Sequence, residues 1–271
     1  MKLFVLDNGS NENDYSFLWS IPALATPANH HPPAVWVKVP VYSVLIQEDD
    51  CLVLYDTGCC EDYGNRWDAS AHAVIAHNCT KEQNISAALG RLGIRCEDVT
   101  HVVASHLHAD HAGNLELFPN AEIYVHEHEF DWAMRLYALN GAMHGYCRND
   151  IQTWLDKKLK WRLVYNDENE LALSQNIKIL NLGSGHAHGQ LGLMVHLPKT
   201  GTVILPADAI GTESNYSLEP HLPGDIFDSV GYVRCIRKIR NLQQSYQGQV
   251  WFGHDAEQFQ RLIKSDEGYY D

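Results

Sequence analysis

The chain has 271 residues, 45% hydrophobic and 20% charged, which is ordinary for a globular protein and excludes a disordered one. Asp and Glu number 34 against 20 Lys and Arg, so the formal net charge is −14 and an acidic surface argues against nucleic acid or an anionic membrane as partner. No uncharged apolar run of about 18 residues occurs, so no membrane span is expected, and seven scattered Cys without a CxxC fit a reducing cytoplasm better than a disulfide framework.

Taken in chain order, the N-terminus reads as a strand over Leu3–Leu6 and lacks the pattern of a signal peptide. Residues 10–34 hold Pro22, Pro27, Pro32 and Pro33 and read as an irregular excursion, with His30 and His31 on an exposed loop. Strands are expected over Val35–Ile46 and Cys51–Tyr55. Thr80-Lys81-Glu82-Gln83 reads as a capping box opening a helix, with Ile85, Ala88, Leu89 and Leu92 on one face and Gly93 as its stop. Strands follow over His101–Ala104 and Glu122–Val125. Residues 131–165, rich in Trp, Tyr, Met and Leu, read as a helical insertion. Strands return over Ile177–Leu182, Leu191–His196 and Thr202–Leu205. Val233, Ile236, Ile239 and Leu242 then mark an amphipathic helix, Val250–Phe252 a strand, and Phe259 and Leu262 a short last helix. Strands come in runs with helices between and after them, so we expect a layered α/β chain, one domain over 1–271 with insertions near 10–34 and 131–165.

The chemistry concentrates in one place. Ser105-His106-Leu107-His108-Ala109-Asp110-His111-Ala112-Gly113 directly follows the apolar run Val102-Val103-Ala104. Burial does not explain three His and one Asp in six residues at a strand end. In an extended segment His106 and His108 point the same way, and Asp110 and His111 follow at the turn. Such a cluster can feed two metal ions, and imidazole with carboxylate suits zinc, manganese, iron or cobalt. Four residues cannot fill two metal shells. Further ligands are expected just past later strand ends, where His186, Asp208 and His254 stand.

This pattern, HxHxDH followed by a Gly-His, an Asp and a last His, resembles the metallo-β-lactamase superfamily. Asp56-Thr57-Gly58 matches that superfamily's first motif. Val39-Pro40-Val41-Tyr42-Ser43 and Phe252-Gly253-His254-Asp255 bring the resemblance closest to the N-acyl homoserine lactonase family. The resemblance implies a four-layered αββα sandwich with two divalent metal ions, zinc foremost, at the rim between two sheets. It implies that His106, His108 and His186 bind the first metal, Asp110, His111 and His254 the second, and that Asp208 bridges them. It implies a hydrolase that opens a lactone, foremost an N-acyl homoserine lactone, by attack of a bridging hydroxide, with Asp110 accepting and returning the proton. The biological effect would be quenching of a bacterial density signal. Another lactone such as 4-pyridoxolactone, a thioester or a phosphodiester is the alternative substrate. A non-hydrolytic member of the same fold, a di-iron partner or a lapsed binding module, is a third reading; no flavin domain fits the length, and no ligand position is lost.

Two departures from the family stand out. It usually carries a Tyr three residues after the bridging Asp, placed to hydrogen-bond the substrate carbonyl; here that position is Gly211. The donor must then come from elsewhere, and Tyr216 is near in sequence. Gly189-Gln190 stands where many relatives repeat Gly-His, and His188 carries no ligand role. Asp56 is expected to orient a ligand His, and Cys59 and Cys60 to be buried near the site. His126-Glu127-His128-Glu129 reads as a solvated or supporting cluster. Trp19, Trp36, Trp132, Tyr137, Met143 and Trp154 read as core under the insertions, with an acyl-chain channel or a homodimer contact as their other uses. No GxGxxG, GxxxxGK[ST] or GxSxG is present, so neither a nucleotide nor a serine triad is implied.

Overall fold

The computed structural model describes residues 1–49 and 51–271. Its strands are β1 (Lys2–Asp14), β2 (Trp36–Glu48), β3 (Cys51–Tyr55), β4 (Ala76–Asn78), β5 (His101–Val103), β6 (Glu122–His126), β7 (Lys160–Val164), β8 (Glu170–Ala172), β9 (Ile177–Gly183), β10 (Gln190–Leu197), β11 (Gly201–Ala207) and β12 (Gln249–Phe252). They form two sheets, one of seven strands in the order β4-β1-β2-β3-β5-β6-β7 and one of five in the order β12-β11-β10-β9-β8.

Side-chain alternation builds four layers from these sheets. In β1, Leu3 and Val5 face the second sheet while Phe4 and Leu6 face the other way; in β3, Val53 and Tyr55 face inward and Leu54 outward. Strands buried on both faces need apolar residues at every position, which is why these segments read as continuous apolar runs. The inter-sheet core joins Val44, Ile46 and Val103 to Ile179, Leu193, Val203 and Leu205. Outside the larger sheet lie the helices Ile85–Arg91, Glu127–Ala138 and Arg148–Lys157, sealed by Leu89, Ile151 and Trp154. Outside the smaller sheet lies Ser229–Tyr246, which buries Tyr232, Ile236 and Ile239 on one face. The αββα sandwich expected from the sequence is the fold observed. Among the described residues no helix is long and apolar enough to cross a membrane.

Several boundaries differ from expectation. The capping box at Thr80 forms only its backward half: the Gln83 side chain accepts the Thr80 N–H at 3.0 Å, but the chain makes a turn and the helix begins at Ile85. β1 continues to Asp14 because its register with β2 runs on to Trp36, so the irregular excursion begins only after residue 14. The end of the 131–165 segment is strand, not helix. Trp161 and Leu163 pack toward the helices from β7, which pairs parallel with β6 as an edge. The short strands β4, β7 and β8 have too few residues to show a period of their own.

β3, β5, β6 and β7 run parallel, and β11 and β12 run parallel in the other sheet. Parallel strands end at the same rim, so the residues just after β3, β5, β9, β11 and β12 converge at one edge of the sandwich.

Candidate metal centre

Each candidate side chain stands just beyond a strand end. β5 stops at Val103 and delivers Ser105 to His111 into a turn that becomes the helix Ala109–Ala112. Gly113 closes that turn at a place no side chain could occupy, since a Cβ there would lie 2.2 Å from the Cys60 backbone nitrogen. β9 ends at Gly183 and leads to His186, β11 to Asp208 and β12 to His254. Ala207 holds φ +47 directly before Asp208. A non-glycine residue there costs about 1–3 kcal/mol, so packing must enforce it, and it re-aims the chain to turn Asp208 inward.

The structure brings all seven sequence-expected side chains together. Ligand atoms of His106, His108 and His186 lie within 4.8 Å of one another; so do those of Asp110, His111 and His254, and those of His106, His111 and Asp208. Asp208 lies between the groups. Its Oδ2 is 3.5 Å from His186 Nε2, and its Oδ1 is 3.4 Å from His111 Nε2 and 3.1 Å from His254 Nε2. Asp110 faces His254 Nε2 at 3.7 Å.

A second ring nitrogen is tied down in His106, His111, His186 and His254, while His108 Nδ1 faces His186 Nε2 at 3.0 Å. His111 Nδ1 lies 2.8 Å from Asp56 Oδ2, and Asp56 also accepts the Ser105 N–H at 2.7 Å. His106 Nδ1 lies 3.0 Å from Ser105 Oγ, His186 Nδ1 donates to the Asp225 carbonyl at 2.8 Å, and His254 Nδ1 to the Pro40 carbonyl at 2.8 Å. Such partners fix the tautomer and leave Nε2 free to bind a metal. His106 Nε2, His111 Nε2 and Asp208 Oδ1 are buried without a hydrogen-bond partner. Orphaned atoms of this kind are costly in a dry interior and are what a bound cation would satisfy. Five imidazoles and two carboxylates in this arrangement fit a pair of divalent ions.

The electrostatics divide the cluster. Burial, reinforced by neighbouring imidazoles, pushes His106 far down and His108 down to about 3, so both are neutral, as a metal ligand must be. Burial also opposes charge on His111 and His254, but nearby carboxylates overcome it: Asp110, Asp208 and Asp56 raise His111, and Asp208 raises His254 to about 9. Burial would raise Asp208, yet His254 and His111 hold it well below the usual carboxylate range. This pole of concentrated charge is where a cation would displace protons.

The site opens into a cavity of about 1060 Å³ that reaches His108, Asp110, His186, Asp208 and His254. The 15–20 excursion lines one side and Met143 with Tyr146 another. The other aromatics singled out in the sequence are absent from its wall. Trp154 and Trp132 pack in the helical core, and Trp36 is exposed. His188 is held between Trp132 and Phe227, at ring distances of 4.0 and 3.6 Å, in none of the ligand groups. His30 and His31 are exposed. Cys59 and Cys60 are buried free thiols beside the turn.

Two supporting residues, Asn11 and His77, were not legible in the sequence, and a third, Glu129, was legible only as one member of a cluster read as solvated or supporting. Asn11 Nδ2 donates to Asp110 Oδ2 at 2.9 Å, and Asn11 Oδ1 meets His77 Nδ1 at 2.8 Å, so a pair from β1 and β4 orients Asp110. Glu129, placed by the sequence in a mixed polar cluster, is fully buried and hydrogen-bonded to the turns that carry His108 and His186.

Comparison with known proteins agrees with this geometry. The family model of the metallo-beta-lactamase superfamily matches residues 36–254. The N-acyl homoserine lactonase AiiB of Agrobacterium fabrum is 39% identical over 273 residues, covering 100% of this chain and 99% of that protein. The N-acyl homoserine lactonase of Bacillus cereus is 27% identical, with 88% of each chain covered. Among solved structures, an N-acyl homoserine lactone hydrolase with N-hexanoyl-L-homoserine bound at its catalytic metal centre superposes with a TM-score of 0.82 at 25% identity, covering 100% of this chain and 98% of that one.

Proposed function

This chain belongs to the metallo-beta-lactamase superfamily, and on that premise we propose that it hydrolyses the ring ester of N-acyl homoserine lactones, thereby quenching a bacterial density signal. The observation that carries the reading is the convergence of five imidazoles and two carboxylates at the floor of a cavity large enough for an acylated lactone. Full-length identity of 39% to a lactonase supports the substrate class.

We assign His106, His108 and His186 to one metal ion, Asp110, His111 and His254 to the other, and Asp208 to both. Zinc suits this donor set best, with manganese, iron and cobalt as substitutes. When bound, such a pair supplies Lewis acidity and lowers the pKa of water toward neutrality.

The chain's own residues do the rest. The cavity holds the neutral lactone with its acyl tail between the apolar side chains of Met143 and Phe17. Water adds to the carbonyl carbon and the ring C–O bond breaks, leaving an alcohol and a carboxylic acid, which releases its proton to solvent and becomes a carboxylate. Asp110 takes the proton that water loses and returns it to the leaving ring oxygen. Asn11 keeps the Asp110 carboxylate turned toward that path. Asp56 and Ser105 hold His111 and His106 in register while charge moves.

All seven cysteines are free, which supports the cytoplasm as the working compartment. The test of the reaction is the mass of the product. N-hexanoyl homoserine lactone incubated with the zinc-loaded protein must gain one water, and recovery of unchanged lactone would refute the reading.

A further inference from the structure

Opening an ester builds negative charge on the carbonyl oxygen, and one well-placed donor there is worth about 10²–10³ in rate. Position 211 offers no side chain for the purpose. A Cβ on Gly211 would meet only Asn215 Oδ1 at 3.5 Å and Leu18 Cδ2 at 3.9 Å, so the cavity opens on to bare backbone beside Asp208.

Tyr216, the neighbour in sequence, turns away. Its hydroxyl donates to Gln243 Oε1 at 2.8 Å, its ring packs on Phe252, and it does not line the cavity. Two tyrosines do line it, Tyr146 and Tyr232. Tyr146 spends its proton on Glu129 Oε1 at 2.9 Å. Asn215 and Asn11 are committed too, the first to the Leu18 and His221 carbonyls and the second to Asp110.

Tyr232 differs from all of these. It stands in the first turn of the helix Ser229–Tyr246, only 1% exposed. It lines the cavity together with Gly211 and Asp208, and among the described residues no side chain takes the proton of its hydroxyl. Burial, with Asp208 nearby, pushes this phenol up and keeps that proton in place. The placement is built in by two glycines. A Cβ on Gly231 would lie 2.2 Å from the Ser184 carbonyl oxygen, and one on Gly185 would lie 3.4 Å from Tyr232 Cα. Their absence lets the helix pack directly on the turn that carries His186. Asp228 locks the contact by accepting from Ser184 Oγ at 2.6 Å and from the Val230 and Gly231 N–H groups at 3.0 Å each.

We propose that Tyr232 is a catalytic residue whose hydroxyl donates a hydrogen bond to the substrate carbonyl oxygen beside Gly211. It rests on the lactonase reading above. Tyr232 keeps its proton throughout and forms no bond to the substrate; it favours the state in which that oxygen carries charge.

The test is Tyr232→Phe, which removes one oxygen and keeps the buried ring, assayed on N-hexanoyl homoserine lactone and on an unsubstituted γ-lactone. We expect kcat to fall about 100-fold on each lactone turned over, with KM within threefold and with melting temperature and metal content unchanged. The double variant Tyr232→Phe with Gly211→Tyr, which has room at Cβ, should recover at least about tenfold of that loss. A Tyr232→Phe enzyme within twofold of the parent overturns the proposal and leaves the lactonase reading standing. A loss of rate matched by loss of metal or of melting temperature also overturns it, because the hydroxyl would then be structural. A parent protein inert on both lactones overturns the lactonase reading and this proposal with it.

Discussion

Glu129 accepts the Leu107 N–H at 2.9 Å, and Leu107 lies between His106 and His108. The same carboxylate accepts the His188 N–H at 3.1 Å and the Gly189 N–H at 3.3 Å, just after His186. It also takes the hydroxyl of Tyr146, whose ring stands edge-on to His108 at 4.7 Å. One buried anion therefore anchors the backbone under all three imidazoles of one ligand group. Glu129→Gln keeps the volume but turns an NH₂ against one of those N–H groups. Metal at the His106–His108–His186 group should weaken about 10- to 100-fold, so that content drops from two ions per chain toward one at limiting zinc. Two ions retained at parental affinity would show that Glu129 does not set this group.

Asn11 ties Asp110 to His77, outside either ligand group. Hydrogen bonds to a carboxylate are worth about 1.5–3 kcal/mol, and under the proposed mechanism the one from Asn11 holds Asp110 in place for proton transfer. Asn11→Ala should lower kcat at least about tenfold with KM nearly unchanged. Steady-state kinetics with two bound ions verified per chain decide it; an unchanged kcat would remove Asn11 from the mechanism.

Burial holds His126 neutral, pushed down to about 4, with His128 adding to the effect and Glu127 opposing it. Its Nδ1 accepts the His128 N–H at 3.1 Å, and Nε2 is buried without a partner. The folded value lies below the unfolded one, about 6.5, so the unfolded chain binds the extra proton. Stability from this group is therefore full above pH about 6.5 and is lost as pH falls toward about 4, at up to about 1.4 kcal/mol per pH unit. His126→Asn keeps a cap for the helix Glu127–Ala138 and removes the titration. Its unfolding free energy should fall less steeply between those limits than the parent's, by denaturant titration at each pH. Parallel slopes would contradict the assignment.

Gly189 lies against His126, and a Cβ there would fall 2.1 Å from His126 Nδ1. Gly189→Ala must displace either the buried imidazole or the turn after His186. We expect a loss of about 1–3 kcal/mol and weaker metal binding together. A melting temperature and metal affinity equal to the parent's would show that the turn can shift freely.

The layers and the metal cluster were legible in the sequence because both are written locally. Apolar runs such as Val102-Val103-Ala104 mark strands buried on both faces, and the ligands follow strand ends at short range. Of the partners of those ligands, Asp56 was legible through the Asp56-Thr57-Gly58 motif, while Asn11 and His77 were not, because they arrive from far along the chain with no motif to mark them. Asn11 reaches Asp110 across 99 positions, and His77 reaches Asn11 across 66. Glu129 reads as one acid in a polar tetrad, since nothing local says which of His126, Glu127, His128 and Glu129 turns inward. β7 was missed for another reason. An edge strand of five residues after two helices carries only Trp161 and Leu163 toward the helices and Val164 toward the second sheet, too short a period to outweigh its neighbours.

The central claim is tested most directly by ring opening of a C4 to C12 series of N-acyl homoserine lactones, with proton release followed for the zinc-, cobalt- or manganese-loaded protein beside a His106→Ala control. The parent should turn over the whole series and the control none of it, and the control should also bind fewer than two ions per chain. A parent protein that holds two ions per chain and opens none of these lactones would contradict it.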